Sequence, residues 1–198
     1  MNTFSALLDA LIAASPERRP AIEQLIINIF QHRKAVLALD MSGFTLTVRR
    51  EGILSYLCQV RRMQQLTLPI VAAHLGEVVK CEADNLLAVF GEPEQAVAAA
   101  VAMVQAAAGE PADGGPRLSF SIGIDYGELL LLNGVDCFGD PVNLAHKLGE
   151  DIARAGEVLI TQRVREALGE DARFGLREMP LSVAGVGLVA YEVSSGGA

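Results

Sequence analysis

Two aspartates, Asp40 and Asp84, stand at the edges of short apolar runs. Asp40 closes the run Ala35–Leu39 and leads directly into Met41-Ser42-Gly43-Phe44-Thr45. Asp84 falls between two β-like runs, Glu77–Lys80 and Leu86–Phe90. A carboxylate at a strand end or tight turn is held rigidly, and two that meet in space can hold divalent cations against a polyphosphate. A third segment, Asp136 to Lys147, adds an acceptor at Asp136 and two polar groups, Asn143 and Lys147, one helical turn apart on a shared face. Lys80, four positions before Asp84, is a donor that cannot accept a hydrogen bond. Singly, each residue has an ordinary reading. Asp40 can cap a helix after a strand, Asp84 with Asn85 can make a hairpin turn, and Asn143 with Lys147 can be a polar helix face.

The elements that must position these residues follow from hydrophobic periodicity. Residues 3–14 and 21–31 read as helices, with Ser15 capping the second and Pro16 in its first turn. Ala35–Leu39 reads as a buried strand and Ile53–Ala73 as a long amphipathic helix that contains Pro69. Two strands flank Asp84, and an Ala-rich helix spans Pro93–Ala108. Leu118–Ile124 reads as a strand that turns at Tyr126-Gly127 into Glu128–Leu132. A helix opens at Asp140 or Pro141 and runs to Ala153. Val158–Ile160, a short helix Gln162–Leu168 and a hairpin from Phe174 to Val193 complete the chain. Strand-helix-strand-strand-helix-strand is the ferredoxin-like βαββαβ order of an α+β fold, and fold order by itself gives no function.

Composition narrows the class. The chain has 198 residues, 51% of them hydrophobic and 20% charged, with a net charge of −8. That charge argues against nucleic-acid binding, which needs clustered basic residues; Arg49-Arg50 and Arg61-Arg62 read as solvated faces. Cys58, Cys81 and Cys137 are odd in number and widely spaced, so no disulfide or zinc framework follows. The N-terminus lacks a basic leader, and no run is long enough to span a bilayer. The expectation is a cytoplasmic protein without a membrane segment.

Taken together, Asp40-x-x-Gly43-Phe44-Thr45, Lys80-x-x-x-Asp84 and Phe138-Gly139-Asp140-x-Val142-Asn143-x-Ala145 resemble the catalytic domain of the class III nucleotide cyclases, the adenylyl and guanylyl cyclases. The resemblance covers roughly residues 35–193 and implies a cyclase homology domain over 34–198 behind a helical extension, 1–33. It implies that Asp40 and Asp84 hold two Mg²⁺ or Mn²⁺ ions, with Gly43, Phe44 and Thr45 passing close to the phosphates. Lys80 and Asp136 match the purine-selecting positions. A lysine donor suits the adenine ring nitrogen and an aspartate accepts from its exocyclic amine, so both point to ATP and to cyclic AMP as product. Asn143 matches the residue that orients the ribose or the transition state, and Lys147 the position where the family usually has Arg. The family also implies a homodimer whose two sites are shared between subunits.

Three departures stand beside these matches. Ala83 replaces the usual Gly before the second aspartate, and Lys147 lacks the planar fork of Arg. The stretch 180–186, where the family often has a phosphate-gripping Lys, has no basic residue. The alternative reading is therefore a catalytically weak or inactive homologue that binds nucleotide or dimerises as a regulatory module.

Overall fold

The computed structural model describes residues 3–42, 51–109, 117–169, 173–183 and 186–195. Gly43, Phe44 and Thr45 lie outside the described residues. Helices α1 (Thr3–Ile12) and α2 (Arg19–Phe30) precede strand β1 (Gln31–Met41). Then come α3 (Ile53–Ala73), the hairpin β2 (Glu77–Glu82) and β3 (Asn85–Phe90), α4 (Pro93–Gly109) and β4 (Phe120–Leu132). Strand β5 (Asp136–Phe138) leads into α5 (Asp140–His146), which continues as a π-helical turn, Lys147–Ile152. Strand β6 (Val158–Thr161), α6 (Gln162–Leu168) and the pair β7 (Phe174–Val183) and β8 (Val186–Ser195) follow. The sheet order is β2-β3-β1-β4-β6-β8-β7, with β5 paired to β4. Its first four strands are antiparallel neighbours in the ferredoxin-like order expected from the sequence.

Three local expectations are corrected. The second helix opens at Arg19 with Pro20 in its first turn, not at Ser15-Pro16; the Ser15 carbonyl instead accepts from the Arg18 and Arg19 amides in a turn before it. No turn interrupts residues 120–132. Tyr126 and Gly127 stay extended because β4 pairs with the whole of β1, from Met41↔Phe120 to Gln31↔Leu130. The helix from Asp140 does not stay α-helical: Ala153 N–H reaches back five residues to the Leu148 carbonyl at 2.7 Å, which winds its last turn wider.

Strand parity divides the sheet into two faces. Ala35, Leu37, Leu39 and Met41 of β1, with Phe120, Ile122 and Ile124 of β4, pack under α3 and α4 in the main core. Val36 and Ala38, with Leu129 and Leu131, face the other way, toward Val142 and Ala145 of α5. By the same alternation Asp40 points to the α5 face. Glycines let α5 lie directly on that face. A Cβ on Gly123 would come within 2.1 Å of the Ala145 carbonyl oxygen and 2.5 Å of the Gly149 nitrogen. A Cβ on Gly149 would come within 2.7 Å of the Ala38 carbonyl oxygen. Buried Asp125, also on this face, accepts from Thr161 Oγ1 and makes a two-point ion pair with Arg163, which reaches Asp140 at 2.8 Å. The start of α5 is thereby tied to β4 and α6. Just before α5, Phe138 of β5 stacks on Phe4 of α1 with centroids 6.1 Å apart.

Two predictions follow from backbone geometry. Gly123→Ala must push α5 off the sheet against rigid backbone atoms, and denaturant unfolding should show a loss of about 1–3 kcal/mol or more. Ala83 has φ +51°, at the first central position of the two-residue β2–β3 turn, where a side chain is strained and Gly is preferred. Ala83→Gly should therefore raise stability, by about 0.5–1 kcal/mol in the same measurement; a loss would show that the turn carries no strain.

Candidate active site

The two metal-candidate aspartates meet at one end of the central hairpin. Asp40 is in register with Asn85 across β1 and β3. The Met41 amide donates to the Asp84 carbonyl oxygen at 3.0 Å, which fastens the end of β1 to the turn that bears Asp84. Asp40 is half-buried, and its carboxyl is pushed up to about 6, first by burial, then by the negative charges of Asp84 and Glu150. Carboxylates pressed together in this way lower their energy by sharing a divalent cation, so the donor set fits hard, oxygen-preferring ions such as Mg²⁺ or Mn²⁺. Among the described residues no third His, Cys, Asp or Glu joins them in a metal-binding cluster.

Tyr56 of α3 is a residue that sequence reasoning missed. It is buried on the core side of α3, and its hydroxyl is held above the usual tyrosine range, first by burial, then by the charges of Asp84 and Asp40. The signal was masked because a tyrosine among apolar helix positions reads as core.

The purine-candidate pair is also assembled. Lys80 Nζ donates to Asp136 Oδ2 at 2.6 Å, with both side chains partly exposed. The second Asp136 oxygen accepts from the Cys137 amide at 2.9 Å, which fixes the carboxylate's orientation. The hydrogen bond to Asp136 raises Lys80 above the usual lysine range, so the ammonium form is secure. Cys137 is buried behind this pair, and burial, then Asp136, push its thiol up to about 11, which makes it an inert packing group. Lys80 and Asp136 line a cleft of about 230 Å³ together with Glu82, Asn85, Val142 and His146. That is smaller than the roughly 300 Å³ of a small ligand pocket, so it suits a ring system rather than a whole nucleotide.

Asn143 and Lys147 lie beyond this cleft. Asn143 is exposed on α5. Lys147, at the start of the π-helical turn, donates to Asp151 at 2.5 Å. One chain thus gathers Asp40 with Asp84 and Lys80 with Asp136, while Asn143 is exposed and Lys147 is half-exposed and held by Asp151. No helix among the described residues is long and apolar enough to cross a membrane.

No protein-family model matches the chain. In sequence it is similar to the Rhizobium meliloti protein "Putative adenylate cyclase 3", 30% identical over 141 residues, or 70% of this chain and 24% of that protein. An uncharacterized protein of Mycobacterium bovis is 37% identical over 99 residues, half of this chain and 25% of its own length. The chain thus spans about a quarter of the length of these curated relatives. Among solved structures, the adenylate/guanylate cyclase/hydrolase from Silicibacter pomeroyi is 26% identical with a TM-score of 0.72, covering 82% of this chain and 96% of that one. The catalytic core of a rhodopsin-guanylyl cyclase with converted specificity, in complex with ATPalphaS, shares the fold with a TM-score of 0.75 at 19% identity, covering 83% of this chain and 97% of that one. By fold over most of its length, and by sequence over 70% of it, the chain is a domain of the class III nucleotide cyclase family, whose adenylyl and guanylyl members are both among its relatives.

Proposed function

We propose that this domain is an adenylate cyclase that converts ATP to 3′,5′-cyclic AMP and pyrophosphate. The observation that carries the reading is the Lys80–Asp136 pair in a ring-sized cleft. Its donor suits the adenine ring nitrogen and its acceptor the exocyclic amine, whereas guanine offers the reverse pattern on the same edge. Asp40 and Asp84 would hold two divalent ions, which supply charge neutralisation of the triphosphate and activation of the ribose 3′-hydroxyl. The 3′-oxygen then attacks the α-phosphorus and pyrophosphate leaves. The protein's own contribution is positioning and electrostatics: the base is anchored at Lys80 and Asp136, and the ribose is oriented by Asn143.

The family resemblance supports a homodimer with two shared sites, and Asn143 is exposed on α5, open to a second subunit. In each site one subunit would give Asp40 and Asp84, and the other Lys80, Asp136, Asn143 and Lys147. A cytoplasmic setting fits this substrate. The second reading, a weak or inactive homologue serving as a regulatory module, is favoured by Lys147: its ammonium group is engaged by Asp151, and the phosphate-binding Lys expected near 180–186 is missing.

Purified protein with Mn²⁺ should form cyclic AMP from ATP in preference to cyclic GMP from GTP; a preference for GTP refutes the purine assignment. Asp40→Ala or Asp84→Ala should abolish turnover while the fold persists.

The Asp40 carboxyl adds a pH signature. Its folded value of about 6 exceeds the ordinary 3.8. A raised carboxyl destabilises the ionised fold above about pH 6, and that penalty disappears as pH falls toward 4. In metal-free protein, Asp40→Asn should therefore raise the thermal midpoint at about pH 8, by roughly 2–4 °C per kcal/mol relieved, and by progressively less below pH 6. Divalent ions should reverse the order, stabilising wild type and not the variant. A midpoint difference that does not vary with pH would remove the basis for a strained, cation-ready Asp40.

Mixing inactive Asp40→Ala with inactive Asn143→Ala protein should restore activity, since a mixed dimer collects both lesions at one site and leaves the other intact. Random exchange makes about half the dimers mixed, so recovery approaches about a quarter of wild type. No recovery after proven subunit exchange means that each site is built within one chain.

A further inference from the structure

Asn85 follows Asp84 at the start of β3 and lines the same cleft as Lys80 and Asp136. Its amide oxygen Oδ1 is buried and has no hydrogen-bond partner. Such an acceptor has lost its hydration with nothing in return. In a closed core an apolar residue of the same shape would be better, so an orphan acceptor in a ligand-sized cleft is a group waiting for a donor. Beside it, His146 is held by Glu150 across one helical turn at 2.7 Å. The carboxylate accepts from Nδ1–H, which fixes the ring as a wall of the cleft. Val142 and Leu87 supply apolar walls.

We propose that Asn85 is a further base-recognition residue, whose amide oxygen accepts the second N–H of the adenine exocyclic amine. The inference rests on the adenylate cyclase reading and deepens it. An exocyclic amine carries two hydrogens, and Asp136 can take one of them. The second points toward the other side of the ring and needs its own acceptor, which is what Asn85 offers from the neighbouring hairpin. Guanine carries an oxygen at that ring position. It would meet two acceptors, Asp136 and Asn85, with no hydrogen to give either. Asn85 thus works by rejecting GTP as well as by holding ATP.

The test uses Asn85→Leu and Asn85→Asp in the full chain. A structural role and a recognition role predict opposite signs for Asn85→Leu. If Oδ1 awaits substrate, removing it leaves the thermal midpoint of the ligand-free protein unchanged or raises it, while KM for ATP rises about three- to tenfold with a smaller change in kcat. The ATP-to-GTP ratio of kcat/KM should fall by a similar factor. Asn85→Asp keeps an acceptor and should hold the preference for ATP. With purine riboside triphosphate, which lacks the amine, wild type and Asn85→Leu should have equal KM values. Inhibition by inorganic tripolyphosphate and the half-saturating Mn²⁺ concentration should not change.

A lower midpoint for Asn85→Leu, an unchanged ATP-to-GTP ratio, or a shift in the Mn²⁺ requirement each overturns the proposal, the last by reassigning Asn85 to positioning Asp84. Wild type that turns over ATP while Asn85→Leu behaves identically sinks this inference alone. Wild type that neither binds nor turns over ATP sinks it together with the reading on which it rests.

Discussion

The π-helical turn after α5 lies backbone on backbone against β1 and β4, through Gly149 and Gly123, with no side chain between. Ordinary helix-on-sheet packing is spaced by side chains. Here the spacing collapses, and the helix end comes down beside the β1 residues that lead to Asp40. The charge of Glu150 consequently acts on Asp40, and His146, one turn earlier, reaches the cleft that holds Lys80 and Asp136. The Asp125–Arg163–Asp140 ion pairs fix the other end of the same helix. The desolvation of buried Asp125 is offset by Thr161, by both contacts of Arg163 and by the Tyr126 amide, so this clamp holds as a unit.

Much of this architecture was legible because its causes are local. Alternating apolar residues located β2 and β3, and an amphipathic stripe gave α3 the same limits that the structure shows. The ferredoxin-like order followed from the sequence of elements alone. One misreading has its source in a pairing partner distant in the chain. Tyr126-Gly127 carries turn chemistry, yet eleven consecutive cross-strand pairs with β1 keep it extended. Gly127 is there to let Pro141 approach, since a Cβ would come within 2.9 Å of Cγ, and not to turn the chain. A glycine in a strand has both meanings, and only the partner decides between them.

The site divides in the same way. Motif spacing picked out Asp40, Asp84, Lys80 and Asp136, and the fold brings them together in two pairs. Tyr56, Asn85 and His146 escaped because their residue types have common structural uses: a core tyrosine, a turn asparagine and a helix-face histidine. Their relation to the site arises only when α3, the β2–β3 turn and α5 converge. Ala83 shows the converse. Its substitution for Gly was visible in the sequence, but the positive φ that gives the substitution a cost is a property of the turn.

The energetics of the two pairs run in opposite directions. Lys80 and Asp136 satisfy each other, so the purine edge rests in a low-energy, preorganised state, and a base must compete with an existing ion pair. Asp40 is held near Asp84 and Glu150 at a cost to the fold, and an arriving cation relieves that cost. Binding to such a protein is therefore expected to be driven from the metal and phosphate end, with the base end providing discrimination. A ligand with the wrong base would still gain the metal contacts but would have to break the Lys80–Asp136 pair without replacing its hydrogen bonds. Selectivity then comes from what is lost on entry, and it is strongest where buried polar groups have no other partner.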